Sequence, residues 1–191
     1  MLNFRRFLLA ALLLPLFCPS LRGQEVMAGL YQSMKGVGAT AMFYSDGDEA
    51  DILTLRSDFY GVLSGRTRRS GVCLSYTHDY VFFERDGEDF LLQLHAGAGG
   101  MVGYVHDFER GLYSAFDREL QHRPGAVAAL TGNLGLRLDF FWRPVTLDFS
   151  ITAAPGLHLR TDQDTGAMIL SFYRNGILQA YQPQINLMYY F

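Results

Sequence analysis

The feature of this 191-residue sequence that most constrains its fold is the regular alternation of apolar and polar residues. From Val145 to Thr152 every odd position is apolar and every even position is polar, and from Leu134 to Phe140 the even positions are apolar. The same alternation occurs over 90–96 and 184–191. Successive side chains on a β-strand point to opposite faces, whereas the apolar stripe of a helix recurs every three to four residues. The sequence therefore predicts strands with one apolar and one polar face.

The same test predicts eight antiparallel strands joined mostly by short turns. Further strands are expected at about 36–46, 49–63, 71–84 and 166–174. Asn175-Gly176 is a pair favoured in two-residue hairpin turns, so a hairpin is expected there. An alternative count adds a strand at about 25–34 and makes 161–179 an outer loop. In the first count, the long connection from His106 to Gly125 lies at the same end of the barrel as the chain termini. In the alternative count, it lies at the opposite end of the barrel.

The first 23 residues are predicted to be a cleaved signal peptide. Arg5 and Arg6 precede an apolar stretch over 7–17, and a short segment with small residues ends at Gly23. That stretch is too short for a transmembrane helix, which needs about 20 residues. Cleavage after Ser20 is the alternative. The expected mature domain, 24–191, retains Cys73 as its one cysteine, so no disulfide within it is expected.

Composition excludes two classes of protein. Only 18% of the residues are charged and 49% are hydrophobic, which argues against a disordered or highly charged chain. The formal net charge is −3, so no basic surface for nucleic acid is expected.

Eight alternating strands could form either a soluble lipocalin-like barrel or a transmembrane barrel. Three features favour the membrane: the export signal, the aromatic end Tyr189-Tyr190-Phe191, and the compact residues opposite the apolar faces. Those compact residues are Gly97, Gly99, Gly103, Gly135, Thr146, Asp148 and Ser150. The predicted fold is therefore all-β: an eight-stranded antiparallel up-and-down transmembrane β-barrel after a cleaved signal peptide.

Four segments of the sequence resemble the small outer-membrane β-barrel proteins of Bacteroidetes-type bacteria. They are the glycine-studded Leu94–Asp107, Gly135–Phe140, Phe172–Ile177 and the C-terminal Gln182–Phe191. The resemblance implies the bacterial outer membrane, contact with its lipid and lipopolysaccharide, and recognition of Phe191 by the barrel assembly machinery. It implies no catalytic residues, and no cofactor is expected.

Charged residues on the polar faces are the candidate functional residues of the barrel interior. They are Arg56, Asp58, Arg137, Asp139 and Asp148. An eight-stranded lumen is too narrow for an open channel, so these side chains are interpreted as a structural network that plugs it. A second group, Arg66, Arg68 and Arg69, lies in a turn where guanidinium groups could bind lipopolysaccharide phosphates.

Other chemistry finds less support in the sequence. The five histidines lack metal-ligand spacing, so no metal site is expected. His106, Asp107 and Ser114 could assemble on one loop, but the short His-x-Ser element of lipid A deacylases is absent. We expect a non-enzymatic structural or envelope-binding protein. The alternatives are a small pore, a lipid-modifying enzyme or a soluble carrier.

Overall fold

The computed structural model describes residues 26–33, 36–46, 48–63, 69–106, 124–161, 165–173 and 181–191. The predicted signal peptide, 1–23, lies outside them. The described residues form the following elements: β1 (Val26–Ser33), β2 (Val37–Asp46), β3 (Glu49–Ser57), α1 (Tyr60–Leu63), β4 (Val72–Asp86), β5 (Phe90–Val105), β6 (Gly125–Phe140), β7 (Val145–Ala153), β8 (Gly156–Thr161), β9 (Met168–Tyr173) and β10 (Tyr181–Tyr190). In this described part of the chain, no helix has both the length and the apolar character needed to span a bilayer.

The strand segments form a closed antiparallel barrel of eight strands, as predicted. Each segment pairs with its neighbours, and β1 pairs with β10, which closes the sheet. β7 and β8 both pair with β6 and are separated only by Ala154 and Pro155, so together they form the seventh strand. β9 pairs with β8, and β10 pairs with β7, so β9 and β10 run in one direction as parts of the eighth strand.

The first strand count, which begins at residue 36, is wrong at both ends of the barrel domain. The first strand is β1, which begins at Val26 and occupies the segment that only the alternative count treated as a strand. The segments on either side of Asn175-Gly176 do not form a hairpin with each other, and both of those residues lie outside the described ranges. The physical reason is the length of the seventh strand, which needs both β9 and β10 to cover its far edge. The strand predicted over 49–63 also ends early, at Ser57, before α1.

The two ends of the barrel differ in their connections. At the turn end lie both barrel termini and the short links between β2 and β3, β4 and β5, and β6 and β7. At the opposite end, the loop end, lie the strand ends that the connections 58–71 and 106–124 join, and the turn that links β8 to β9. The long connection therefore starts and ends away from the termini, as the alternative count predicted.

Strand register sets the tilt of the strands. One line of paired residues passes around the barrel through Val26, Phe43, Asp51, His78, Ala98, Gly132, Ala153 and Tyr181. Ser33 pairs with Gln184, so the same register extended by three residues would set Tyr181 opposite position 36, and the line returns ten residues from its start. Eight strands with this offset, about 4.8 Å apart and rising about 3.3 Å per residue, tilt by about 41°.

The faces of the barrel are inverted relative to a water-soluble protein. Most leucines and phenylalanines and many valines and isoleucines of the described strands point outward, and Leu130 and Leu134 are 73% and 60% exposed. The inward positions hold polar side chains, among which Arg137 and His95 are fully buried. Two small apolar clusters remain inside, one around Met27 and Met42 and the other around Cys73 and Met101.

Exposed aromatic residues are concentrated at the two ends of the barrel. At the turn end they are Tyr80, Phe82, Phe83, Phe90, Phe141, Trp142, Tyr189 and Phe191. At the loop end they are Phe59, Tyr104 and Phe172. Between these two aromatic zones the outer surface carries exposed leucines, valines and isoleucines, together with Tyr76 and Phe149.

Candidate functional site: the polar interior

Among the described residues, buried ionisable side chains come together in an ion-pair network around His95 inside the barrel. Its Nδ1 lies 2.8 Å from Oδ2 of Asp79, and its Nε2 lies 2.9 Å from Oδ2 of Asp148. All three side chains are 0–1% exposed. A carboxylate accepts hydrogen bonds but does not donate them, so an imidazole held between two carboxylates carries a proton on both nitrogens.

Neighbouring strands supply further partners for the two carboxylates. Asn133 donates from Nδ2 to both oxygens of Asp79, at 3.0 and 2.9 Å, and Asn186 donates to Oδ1 of Asp148 at 3.3 Å. Arg137 places Nε 3.6 Å from Oδ2 of Asp148. Two cations therefore balance two anions in a region from which water is largely excluded. Such balance is required because an unpaired buried charge is strongly destabilising.

Two inward-facing glycines make this network sterically possible. Gly97 pairs with Asp79 on one side and with Asn133 on the other, and a Cβ on Gly97 would collide with both side chains. Gly135 pairs with His95, and a Cβ there would collide with the imidazole ring. The absence of both side chains lets polar groups meet across an intervening strand.

The network continues towards the turn end of the barrel. Arg137 donates from a terminal nitrogen to the hydroxyl of Tyr44 at 3.0 Å, and its guanidinium carbon lies 5.7 Å from that ring's centroid. Thr146 donates to Oδ1 of Asp139. Asp139 therefore lies at the edge of the network rather than among its central ion pairs.

Arg56 belongs to a second polar group, nearer the loop end. It donates to Oε1 of Gln182 at 2.7 Å and contacts the sulfur of Met101 at 2.8 Å. Gln182 in turn donates to the hydroxyl of Tyr31 at 3.2 Å. These contacts link β3 and β5 with β10 and β1 through the barrel interior.

Asp58 has a different structural role from the one predicted. Its Oδ1 accepts from the backbone amide of Gly71, and its Oδ2 accepts from the backbone amide of His106 at 2.8 Å. The side chain thus holds together the loop ends of β3, β4 and β5. No ion pair between Asp58 and Arg56 is found among the described contacts.

Between the central network and the Arg56 group lies a cavity of about 30 Å³. Tyr31, Arg56, Asn133, Asp148 and Asn186 contribute to its lining. One water molecule needs a cavity volume of at least about 10–15 Å³, so this cavity has room for one or two waters. A small-molecule pocket of about 300–1,000 Å³ is far larger.

The structure brings together only part of the predicted set. Arg137 and Asp148 meet, Asp139 lies beside them, and Arg56 and Asp58 occupy separate positions towards the loop end. Arg69 is exposed, whereas Arg66 and Arg68 lie outside the described residues. Asp107 and Ser114 of the loop considered for catalysis also lie outside them.

Sequence reasoning missed the carboxylate of Asp79 and the amides of Asn133 and Asn186. Alternation could have placed Asp79 on the inner face of β4, because Cys73, Ser75 and Thr77 precede it at a period of two. The alternation gives no strand register, however, and register is what sets Asp79 opposite Gly97. The structure places His95 fully buried on the inner face of β5.

Comparison with models of known protein families and with curated protein sequences finds no match to this chain. Within the described residues, no three histidine, cysteine or acidic side chains converge in a way that could hold a metal ion.

Proposed function

We propose that the protein is an integral outer-membrane β-barrel with a closed lumen and a structural or envelope-binding role. The observation that carries this proposal is the inversion of its faces. Leu130 and Leu134 lie exposed on the outside, while Arg137, His95 and Asp148 are buried inside. An apolar exterior is favourable in lipid, and an interior of paired charges is satisfied without bulk water.

The dimensions of the barrel support the same proposal. Strands tilted by about 41° with a rise of about 3.3 Å cross an apolar band of about 25 Å in about ten residues. β2 and β10 each contain 10 residues, and β5 and β6 contain 16. The two aromatic zones lie where the polar headgroup regions of a bilayer would be.

The charged and tightly filled interior favours a closed barrel over the two main alternatives. A carrier that holds an apolar ligand inside the barrel would need a large interior pocket, whereas the cavity at Arg56 and Asp148 measures only about 30 Å³ and includes charged groups in its lining. A pore would need a continuous lumen, and His95 and Arg137 lie fully buried across it. The exposed residues at the loop end, including Arg69, are the surface available for contact with lipopolysaccharide or other envelope components.

Membrane fractionation and a gel comparison of unboiled and boiled samples test the location and the closed barrel. We expect recovery with outer membranes and a change of gel mobility on boiling. Recovery in the soluble periplasmic fraction without detergent would refute the membrane proposal.

A matched pair of arginine variants tests which solvent the outer surface faces. Leu134 and Phe141 are 60% and 59% exposed, but Leu134 lies between the aromatic zones and Phe141 lies in a turn. In a bilayer, Leu134→Arg is expected to lower the free energy of unfolding by about 2–4 kcal/mol and Phe141→Arg by about 0–1 kcal/mol. Equal small effects of the two variants would indicate that both positions face water.

A further inference from the structure

One group of polar side chains breaks the apolar outer surface of the barrel. Among the described residues, Asp51 and His78 are the only outward-facing acidic, basic or histidine side chains between the two aromatic zones, and Glu49 lies beside them at the edge of the turn-end zone. They lie on the adjacent strands β3 and β4, where Asp51 pairs with His78 and Glu49 pairs with Tyr80. We refer to Glu49, Asp51, Tyr76, His78 and Tyr80 as the outer polar cluster.

The outer polar cluster is organised by its own contacts. Oδ1 of Asp51 accepts from the hydroxyl of Tyr76 at 2.7 Å and lies 2.8 Å from Nδ1 of His78. Nε2 of His78 lies 3.7 Å from Oε2 of Glu49. The rings of His78 and Tyr80 meet edge to face with their centroids 4.8 Å apart. Each of the three ionisable side chains nevertheless remains 31–43% exposed, so a partner can reach them.

The depth of the cluster sets the kind of partner. Glu49 is level with Tyr80 of the turn-end aromatic zone, and Asp51 lies two residues further towards the middle of the barrel. Two residues of a strand tilted by about 41° advance about 5 Å along the barrel axis. This depth corresponds to the boundary between headgroups and acyl chains. A charged side chain that faces lipid there is destabilising unless it is paired, and it indicates a functional site.

On the basis of the proposed membrane location, we propose that the outer polar cluster binds the headgroup of a zwitterionic aminophospholipid. The carboxylates of Glu49 and Asp51 fit a primary ammonium group, which has three donors and a positive charge. The aromatic face of Tyr80 also favours a nearby cation. The imidazole of His78 and the hydroxyl of Tyr80 supply donors for the phosphate of the same headgroup. An anionic lipid without an amine would bring a further negative charge beside the two carboxylates and supply no cation to them.

The experiment measures lipid retained by the purified barrel. Protein is reconstituted in vesicles of equal parts phosphatidylethanolamine, phosphatidylcholine and phosphatidylglycerol, then extracted in mild detergent, and the bound lipid is quantified by mass spectrometry. We expect phosphatidylethanolamine to be enriched several-fold over both other lipids, because choline lacks N–H donors and glycerol lacks the cation. Equal retention of the three lipids would overturn the proposal.

Glu49→Gln and the double variant Glu49→Gln/Asp51→Asn test which residues carry the preference. Glu88→Gln is the matched control, because Glu88 is an exposed acid in the turn between β4 and β5. The enrichment should fall in the single variant, disappear in the double variant and persist in the control. Unchanged enrichment in the double variant would place lipid selection elsewhere and refute the role of this cluster.

Two controls separate this proposal from others. The gel-mobility change on boiling shows whether each variant forms the barrel, and the single variant keeps the test decisive where the double variant does not fold. Chemical cross-linking in the vesicles detects a second copy of the chain on this face. A dimer lost in the double variant, without lipid enrichment in the wild type, would replace the lipid with a protein partner. A wild-type protein that never enters vesicles would instead contradict the proposed membrane function.

Discussion

Replacement of His95 by leucine tests whether the buried ion pairs hold the barrel together. The substitution removes the cation between Asp79 and Asp148 and leaves their oxygens at most about 8 Å apart, given the contacts of 2.8 and 2.9 Å to either side of the ring. Two unit charges at about 8 Å repel by about 2 kcal/mol at an effective dielectric constant of ~20. Loss of the attraction to the imidazolium adds to this cost. Breaking a buried pair in this way is expected to lower the free energy of unfolding by about 3–5 kcal/mol.

The assay is urea-induced unfolding of the barrel in vesicles, followed by gel mobility of unboiled samples. Gln93→Leu is the control on the same strand, since Gln93 is buried and donates to the exposed Glu84 at 3.0 Å. It is expected to cost about 1 kcal/mol, the value of an ordinary hydrogen bond.

A compensating variant distinguishes charge balance from packing. Combining His95→Leu with Asp79→Asn removes one anion together with the cation, so Arg137 alone can balance Asp148. At least half of the lost free energy of unfolding should return in this double variant. If His95→Leu costs no more than Gln93→Leu, or the second substitution restores nothing, the electrostatic account of the interior is wrong.

Three further predictions follow from the interior contacts. Gly97→Ala and Gly135→Ala should reduce the folded fraction on unboiled gels because their Cβ atoms would collide with buried polar side chains, whereas Gly132→Ala, with no atom closer than 3.9 Å, should fold normally. In planar bilayers the wild type should show no conductance. The double variant His95→Ala/Arg137→Ala should conduct ions, because it removes two fully buried side chains from the lumen. Conductance by the wild type would contradict a plugged lumen. Asp58→Ala should accelerate amide hydrogen exchange at Gly71 and His106, its two backbone donors, and leave exchange at Ala98 unchanged.

Much of the fold was predictable because alternation is a local property of the chain. The residues over 145–152 alternate without exception, and the structure places them in β7 with leucine outside and aspartate inside. The prediction of a barrel followed from the count of eight alternating strands. The position of the first strand was harder, since the short β1 contains Gly29 and Ala28 and its alternation is less pronounced.

The candidate site was predictable only as a set of inward charges, because its geometry depends on strand register. Arg137 and Asp148 are cross-strand partners, so their meeting follows from the short turn between β6 and β7. Asp79 and Asn133 meet across Gly97 through two separate pairings, and neither is specified by residues near either side chain. An inward glycine flanked by polar residues on both neighbouring strands is the pattern that could have revealed them, once the register was known.

The same registers explain why the interior chemistry also restricts the barrel to one arrangement. A shift of one residue between β5 and β6 would end the pairing of His95 with Gly135. His95 would then either point to the outer face or lie beside a residue whose side chain occupies the space of the imidazole. The apolar outer face alone discriminates weakly between shifts of two residues, because leucines recur at 130, 134, 136 and 138. A two-residue shift would, however, separate Gly97 from Asn133 and leave Asp79 without its amide donor. Burying this network therefore costs more desolvation free energy than burying an apolar core would. The network also destabilises the shifted registers that the outer surface tolerates, because they leave buried polar groups without partners.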